Sequence, residues 1–211
     1  MAITIICFFI RGNILMGGFQ IIALSISLIP VFVNRSFNIN LPWPIDFWLT
    51  MWMFLAVLGE TGFYDRFSWW DNLLHFGGTA VLVYLAFVLV FALNFTDKIR
   101  LSIPLIGFAT FLVGVAFGAI WEVAEFWVWR ITGSDALAMH GSYKNGLLDT
   151  FTDLQLDIVA SALVALVGMK YVAKQRHVLL REWMYPFAKI FSNKTYRAKN
   201  LSSKFNLRRK K

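Results

Sequence analysis

The sequence predicts an all-α protein, a polytopic bundle of transmembrane helices. Of its 211 residues, 58% are hydrophobic and only 15% are charged, and the mean hydropathy is +0.62. A soluble domain is roughly a quarter charged, whereas this chain has several apolar runs long enough to cross about 30 Å of hydrocarbon. An ordinary soluble domain is therefore excluded. The single cysteine, Cys7, excludes an internal disulfide and a cysteine-rich metal site.

Apolar runs bounded by polar residues, proline or glycine predict about five spans, or six if the N-terminal segment also crosses. Met1 to Ile10 is apolar, but Arg11 to Asn13 interrupt it, so we expect an interfacial or additional membrane-dipping helix rather than a signal peptide. The bundle thus occupies residues 1–173, and 174–211 form a tail. The five spans are expected near residues 14–33, 44–63, 71–94, 101–130 and 150–173.

The basic residues predict the orientation, because Lys and Arg near span ends are retained on the cytoplasmic side. Thirteen of the twenty Lys and Arg lie from Lys170 to Lys211. This distribution predicts a multi-pass protein of the cell (inner or plasma) membrane with a cytoplasmic C-terminus, and it argues against a nucleic-acid partner. Within the tail, Val178 to Phe191 is expected to lie along the interface as an amphipathic segment, and Arg208 to Lys211 to attract anionic lipids.

Acidic residues and a histidine occur inside three of the predicted spans, where an uncompensated charge costs at least about 2.5 kcal/mol. Residues three or four apart share a helix face, so each of these spans has an acidic edge. Opposite span directions and a rise of about 1.5 Å per residue place the three edges in the outer half of the membrane, level with Glu60. The residues are Asp71 and His75 in the third span, Glu122 and Glu125 in the fourth, and Asp149, Asp153 and Asp157 in the fifth.

Seven carboxylates cannot share one site while ionised and uncompensated, and few basic residues are near enough to pair with them. Carboxylates with one imidazole suit a divalent metal ion such as Mn, Fe, Zn or Mg. The first hypothesis is therefore a metal-dependent membrane protein, with an enzyme acting on a lipid or lipid-linked substrate as one outcome. Its expected metal ligands are His75, Glu122, Glu125, Asp149 and Asp153. Asp71 and Asp157 are the candidate catalytic bases, and Arg66 and Arg130 the candidate headgroup-binding residues.

Other interpretations of these residues stay open. Asp71 and Asp149 would also suit helix N-termini, where the dipole favours acidic groups. Arg66 and Arg130 would equally serve as anchors at span ends. The same cluster would serve a cation or proton transporter, or the polar packing of a non-catalytic subunit with a membrane-protein partner. Gly114 and Gly118 form a Gly-x-x-x-Gly pair that predicts close helix packing.

Three motifs together resemble a known family. They are Trp-Asp-Asn-Leu-Leu-His-Phe-Gly-Gly from Trp70, Trp-Glu-Val-Ala-Glu-Phe from Trp121, and the aspartates from Asp149 to Asp157. The combination resembles the YjdF-like family of predicted inner-membrane proteins, over about residues 40–173, and the Asp and His element is more weakly similar to VanZ-like proteins. The resemblance implies a polytopic membrane fold and no particular reaction. The motif positions it marks are Asp71, His75, Glu122, Glu125, Asp149 and Asp153.

Overall fold

The structure is a computed structural model that describes residues 1–96, 98–133, 143–174 and 186–187. The secondary structure of these residues is helical throughout, with no strand among them, so the predicted fold class is confirmed. The interfacial segment and basic cluster predicted for the tail lie outside the described residues, apart from Lys174, Pro186 and Phe187.

The N-terminal part is a set of short helices. The first, α1, is nine residues long, too short to cross a membrane, and its Phe9 ring packs where Gly17 of the next helix has no side chain. The predicted first span is two helices separated at Leu28, because Pro30 begins a new helix and cannot donate to the preceding turn. The bounds are α1 Ala2–Ile10, α2 Ile14–Ser27, α3 Ile29–Phe37 and α4 Trp43–Leu58.

The predicted second span is also interrupted. Helix α4 has 16 residues, about 24 Å at 1.5 Å per residue, and then widens into a π-helical turn over Gly59–Phe63 before a single α-helical turn, α5, at Tyr64–Arg66. Gly62 has φ 110° and ψ 10°, a conformation that glycine adopts without a steric penalty. By length and composition, four helical stretches of the described residues are able to span a membrane: Ile14–Phe37, Trp70–Phe95, Ile103–Thr132 and Lys144–Ala173.

Three long helices form the centre of the fold: α6 Trp70–Phe95, α7 Ile103–Thr132 and α8 Tyr143–Ala173. They pack against one another more extensively than any other described helices do. We call the line along which all three meet the seam. Gly114 and Gly118 of α7 confirm the predicted close packing, because a Cβ at either position would clash with Ser161 or Asp157 of α8.

The seam is apolar at one end, near the loop that contains Lys98 and Arg100. Phe87 and Phe91 of α6 pack there with Ile106 of α7 and Val172 of α8. Many large apolar side chains point outward instead, such as Phe117 and Ile120 of α7. An apolar outer surface around a close-packed interior is what a helical bundle in lipid requires.

Candidate metal centre

The opposite end of the seam holds the acidic residues and the histidine. Four-residue spacing directs Asp71, His75 and Thr79 of α6 toward the same side, and Asp153 and Asp157 of α8 face them. The helices bury these groups deeply. The exposed fractions are 8% for His75, 6% for Glu122, 0% for Asp153 and 1% for Asp157.

His75 is the centre of the cluster, because its imidazole faces carboxylates of both neighbouring helices. Its Nδ1 lies 3.5 Å from Asp157 Oδ2. Its Nε2 lies 3.8 Å from Glu122 Oε1 and 3.9 Å from Asp153 Oδ2. Two carboxyl groups therefore face one nitrogen at distances beyond the 2.7–3.2 Å range typical of a hydrogen bond.

The Asp153 carboxylate has no hydrogen-bond partner among the described residues, although both of its oxygens are buried. Such a group is costly in an apolar interior unless a proton or a cation compensates it. The Glu122 carboxylate is also buried, and Thr150 is its polar neighbour. His75 is consequently a basic side chain that faces both acids.

Two triads that share His75 have the spacing of metal ligands. One is Asp71, His75 and Asp153, and the other is His75, Glu122 and Glu125. Within each triad, one ligand atom per residue lies within 4.8 Å of the other two. Ligand bonds of about 2.0–2.2 Å put neighbouring ligand atoms roughly 3–3.5 Å apart. The distances from His75 Nε2 to the Glu122 and Asp153 oxygens would therefore shorten by a few tenths of an ångström around an ion. The donor set fits a divalent metal.

Asp157 contacts both α6 residues that follow Asp71 at four-residue spacing, His75 and Thr79. Its Oδ1 accepts a hydrogen bond of 2.6 Å from Thr79 Oγ1, and its Oδ2 faces His75 Nδ1. In metal sites, a carboxylate on the far nitrogen of a histidine fixes the ring and directs its other nitrogen toward the ion. The contacts of Asp157 match that arrangement.

The remaining sequence candidates lie around this core. Asp149 is half-buried and within electrostatic range of Glu122 and Asp153, but it belongs to neither triad. Arg66, at the end of α5, and Arg130, in the last turn of α7, are exposed.

Glu60, in the π-helical turn, also belongs to this surrounding group. Burial raises the pKa of Glu60, and the neighbouring Asp65 and Asp71 carboxylates raise it further. Glu60 is therefore within electrostatic range of Asp71, one member of the acidic cluster.

Three polar residues of this region were not predicted from the sequence. Thr79 continues the four-residue spacing of Asp71 and His75, and Ser161 continues that of Asp153 and Asp157, so helical spacing was a usable signal for both. Tyr64 directly follows the π-helical turn, which no sequence pattern beyond the glycines at 59 and 62 indicates.

Comparison with known proteins gives a relationship and no activity. An uncharacterized protein of Thermotoga maritima is 31% identical over 106 residues, which is 49% of this chain and 50% of that protein, so the match spans about half the length of this relative. No solved structure matches the chain. The weaker similarity to VanZ-like proteins stays a prediction. The family model described as "Predicted membrane protein (DUF2238)" matches residues 1–174, and the chain belongs to that family.

Proposed function

We propose that this membrane protein binds a divalent metal ion at the polar end of the seam and acts there on a lipid or lipid-linked substrate. The observation that carries the metal proposal is the Asp153 carboxylate, which is fully buried, lacks a hydrogen bond among the described residues and faces the Nε2 atom of His75. A cation between these two groups would compensate the acid and use the imidazole lone pair.

In this proposal, His75 and Asp153 are the central ligands. Asp71 completes one triad, and Glu122 with Glu125 completes the other, so an ion would be held by one triad or shared between them. Asp157 is assigned a positioning role, since it accepts from Thr79 and faces His75. Asp71, half-buried at the edge of the cluster, keeps the alternative role of general base.

The aromatic side chains beside the centre support a lipid substrate. Aromatic side chains gather beside it, with Phe63 and Trp70 at the α5–α6 corner 4.8 Å apart between ring centres. Phe126 and Trp127 form a second aromatic pair directly after Glu125. Tryptophan-rich belts lie at the headgroup level of a bilayer, so a lipid headgroup would reach the ion without leaving the interface.

The exposed guanidinium groups of Arg66 and Arg130 are suited to hold an anionic headgroup there. The basic loop residues Lys98 and Arg100 are at the opposite end of α6 and α7, which favours an extracytoplasmic centre.

Transport of cations or protons has less support. The seam continues from Asp157 to Ser161 and then becomes apolar, where Phe87, Phe91 and Ile106 are packed together. A conduction route needs polar groups or water along its length, whereas the core at this end is apolar and the hydroxyl of Thr110 there donates to backbone carbonyls of its own helix.

The proposal is tested by the metal content of the purified full chain in detergent or nanodiscs, measured by inductively coupled plasma mass spectrometry and followed by titration with Mn²⁺, Fe²⁺, Zn²⁺ and Mg²⁺. We expect near-stoichiometric binding of one of these ions by the wild type. Asp153→Asn keeps the side-chain shape and removes the charge, so it should abolish that binding.

Asp46→Asn is the matched control, because Asp46 lies in the first turn of α4, about 20 Å along that helix from Gly59 at the site. It should bind metal as the wild type does. A folded wild type that binds none of the four ions would contradict the proposal and favour a purely structural polar network. If Asp153→Asn bound the ion as tightly as the wild type does, Asp153 would not be a ligand and the ion would bind elsewhere.

A further inference from the structure

The indole of Trp121 in α7 is hydrogen-bonded to one of the candidate metal ligands. Its Nε1–H donates to Glu125 Oε1 over 2.8 Å, one turn further along the same helix. Four-residue spacing puts the two side chains on the same face, so the helix itself brings donor and acceptor together. Glu125 forms a triad with His75 and Glu122, so this donor contacts a member of the metal centre.

A helix outside the three long ones also contacts this indole. The ring of Phe19, in α2, lies edge-on to the ring of Trp121, with 6.2 Å between the ring centres and 60° between the ring planes. Edge-to-face pairs of this kind are attractive beyond the area that they bury. The indole is therefore fixed at two points, by the ring of Phe19 and by the carboxylate of Glu125.

The surroundings of Trp121 favour this hydrogen bond. Trp121 is 36% exposed, and Phe117 and Ile120 beside it on α7 are exposed apolar residues, as expected of a face in contact with lipid. Acyl chains offer no acceptor, so the indole N–H needs one within the protein. An ionised carboxylate has about four lone-pair sites, so Glu125 is able to accept from the indole and still bind an ion.

We propose that Trp121 is a positioning residue of the metal centre, whose indole N–H holds the Glu125 carboxylate in the orientation that binds the ion, while Phe19 of α2 holds the indole. Hydrogen-bond partners of ligating carboxylates have this role in metal sites. The indole is a neutral donor, so it orients the acid without adding a charge that would compete with the ion. This inference rests on the proposed metal binding and extends the centre to the lipid-facing side of α7.

The test uses Mn²⁺ as the probe and the purified full chain, and the affinity comparison is repeated with whichever of the four ions the wild type binds. Trp121→Phe keeps an aromatic ring near Phe19 and removes the N–H. We expect the affinity to fall by about tenfold, the low end of the range for residues that orient a ligand. The electron paramagnetic resonance spectrum of bound Mn²⁺ should change as well, because Glu125 loses a fixed orientation.

Trp43→Phe is the matched control. Trp43 is also exposed, and it lies edge-on to Phe47 at the same 6.2 Å between ring centres, but it begins α4, sixteen residues before Gly59. The change removes an indole N–H and keeps an aromatic ring, as Trp121→Phe does. It should leave the affinity and the spectrum unchanged.

Trp121→Gln and Trp121→Met separate the donor from the ring. Both variants replace the indole with a flexible side chain of similar length, but only glutamine keeps an N–H that reaches a carboxylate one turn away. We expect Trp121→Gln to bind Mn²⁺ several-fold more tightly than Trp121→Met does. A purely structural role of the ring would make the two variants equal.

Phe19→Leu tests the contact from α2. It should weaken Mn²⁺ binding by less than Trp121→Phe does, because the hydrogen bond remains and only its support is lost. When Trp121→Phe is already present, Phe19→Leu should change the affinity by less than about twofold, since residues that act through one another are non-additive.

The outcomes separate this inference from the metal proposal. If the wild type binds Mn²⁺ and Trp121→Phe behaves as Trp43→Phe does, the role of Trp121 is refuted and the metal centre stands. Equal affinities of Trp121→Gln and Trp121→Met would refute the role of the donated hydrogen bond. If Phe19→Leu weakens binding equally in both backgrounds, Phe19 does not act through the indole. If the folded wild type binds none of the four ions, the metal centre and this inference both fail.

Discussion

The two ends of the seam share the same helix geometry but differ in the polarity of their inward-facing side chains. Along α6, every fourth residue from Asp71 faces inward. The first three of these positions are polar and the next three are apolar. Along α8, the polar run ends at Ser161 and gives way to Ala165. The inward residues of α6 are Asp71, His75 and Thr79 at the polar end, then Val83, Phe87 and Phe91 at the apolar end.

The two ends cannot serve the same purpose. Burying apolar side chains between helices costs little free energy in lipid, because the surrounding acyl chains are as apolar as the helix interior. Burying Asp153, Asp157 and Glu122 costs several kcal/mol unless something compensates them. An assembly that needed only stable packing would be served by repeating the apolar end. This difference supports the metal binding proposed for the polar end, whereas the apolar end holds the helices together.

The largest expected effect is that of His75→Gln, because both metal triads use this imidazole. Removing a residue that only orients a ligand costs about 10–100-fold in metal affinity, so losing the shared ligand should cost at least about 100-fold, or about 2.7 kcal/mol. The change is measured by titration of the purified variant with the ion that the wild type binds. Because glutamine keeps a similar volume and a polar end, the variant should remain folded.

Phe87→Ala is the counterpart at the apolar end. It should lower the free energy of unfolding by on the order of 2 kcal/mol, less than the 3–5 kcal/mol of a soluble core because lipid replaces part of the lost contact. Its metal affinity should match that of the wild type. If Phe87→Ala weakened metal binding as much as His75→Gln, the two ends would not be separable, and the comparison would fail.

An intermediate effect is expected where the two ends meet. Gly118→Ala would press a methyl group into the Asp157 carboxylate, which lies on a stiff helix and is fixed by Thr79. Overpacking of this kind costs about 1–3 kcal/mol, and it should also weaken metal binding by displacing Asp157 from His75. Thermal unfolding and metal titration of the same variant measure the two effects.

Two other glycines make the result specific. Gly107→Ala meets only the flexible end of Met169 at the apolar end, so it should change metal affinity little. Gly78→Ala has open space at its Cβ and should be neutral in both measurements. Equal losses of metal affinity in all three variants would mean that glycine loss acts on the helices generally and not through Asp157.

The long helices were largely predictable, because a long apolar run between polar or proline residues is a local property of the sequence. Predicted spans at 71–94 and 101–130 compare with Trp70–Phe95 and Ile103–Thr132 in the structure. The helix predicted to begin near residue 150 begins at Tyr143, since its first turns are polar and carry no hydrophobic signal. The π-helical turn brings the Tyr64 ring against Gly59, five residues earlier, and hydrophobic periodicity carries no signal for that contact.

The cluster was predictable as a set of faces, and its internal contacts were not. Four-residue spacing indicated that Asp71 and His75 share one side of a helix, as do Asp153 and Asp157. Which carboxylate lies at which nitrogen of His75 depends on how the helices are rotated about their axes. In the structure, the rotation of α6 and α8 places Asp153 at Nε2 and Asp157 at Nδ1.

The smallest expected effect, that of Thr79→Val, sharpens the comparison at its border. Thr79 is the last polar residue of the α6 face, and its hydroxyl donates to Asp157 over 2.6 Å. Valine keeps the shape and the apolar contacts, so packing should be retained while Asp157 loses one of its partners. We expect metal affinity to fall by about tenfold, the low end of the range for residues that orient a ligand, in the same titration.

Ser161→Ala is the matched control on α8, because the Ser161 hydroxyl has no hydrogen-bond partner among the described residues and its loss should leave the affinity unchanged. A loss in Thr79→Val with none in Ser161→Ala would place the border of the metal centre between Asp157 and Ser161, whereas equal losses would extend the centre one helical turn deeper into the seam.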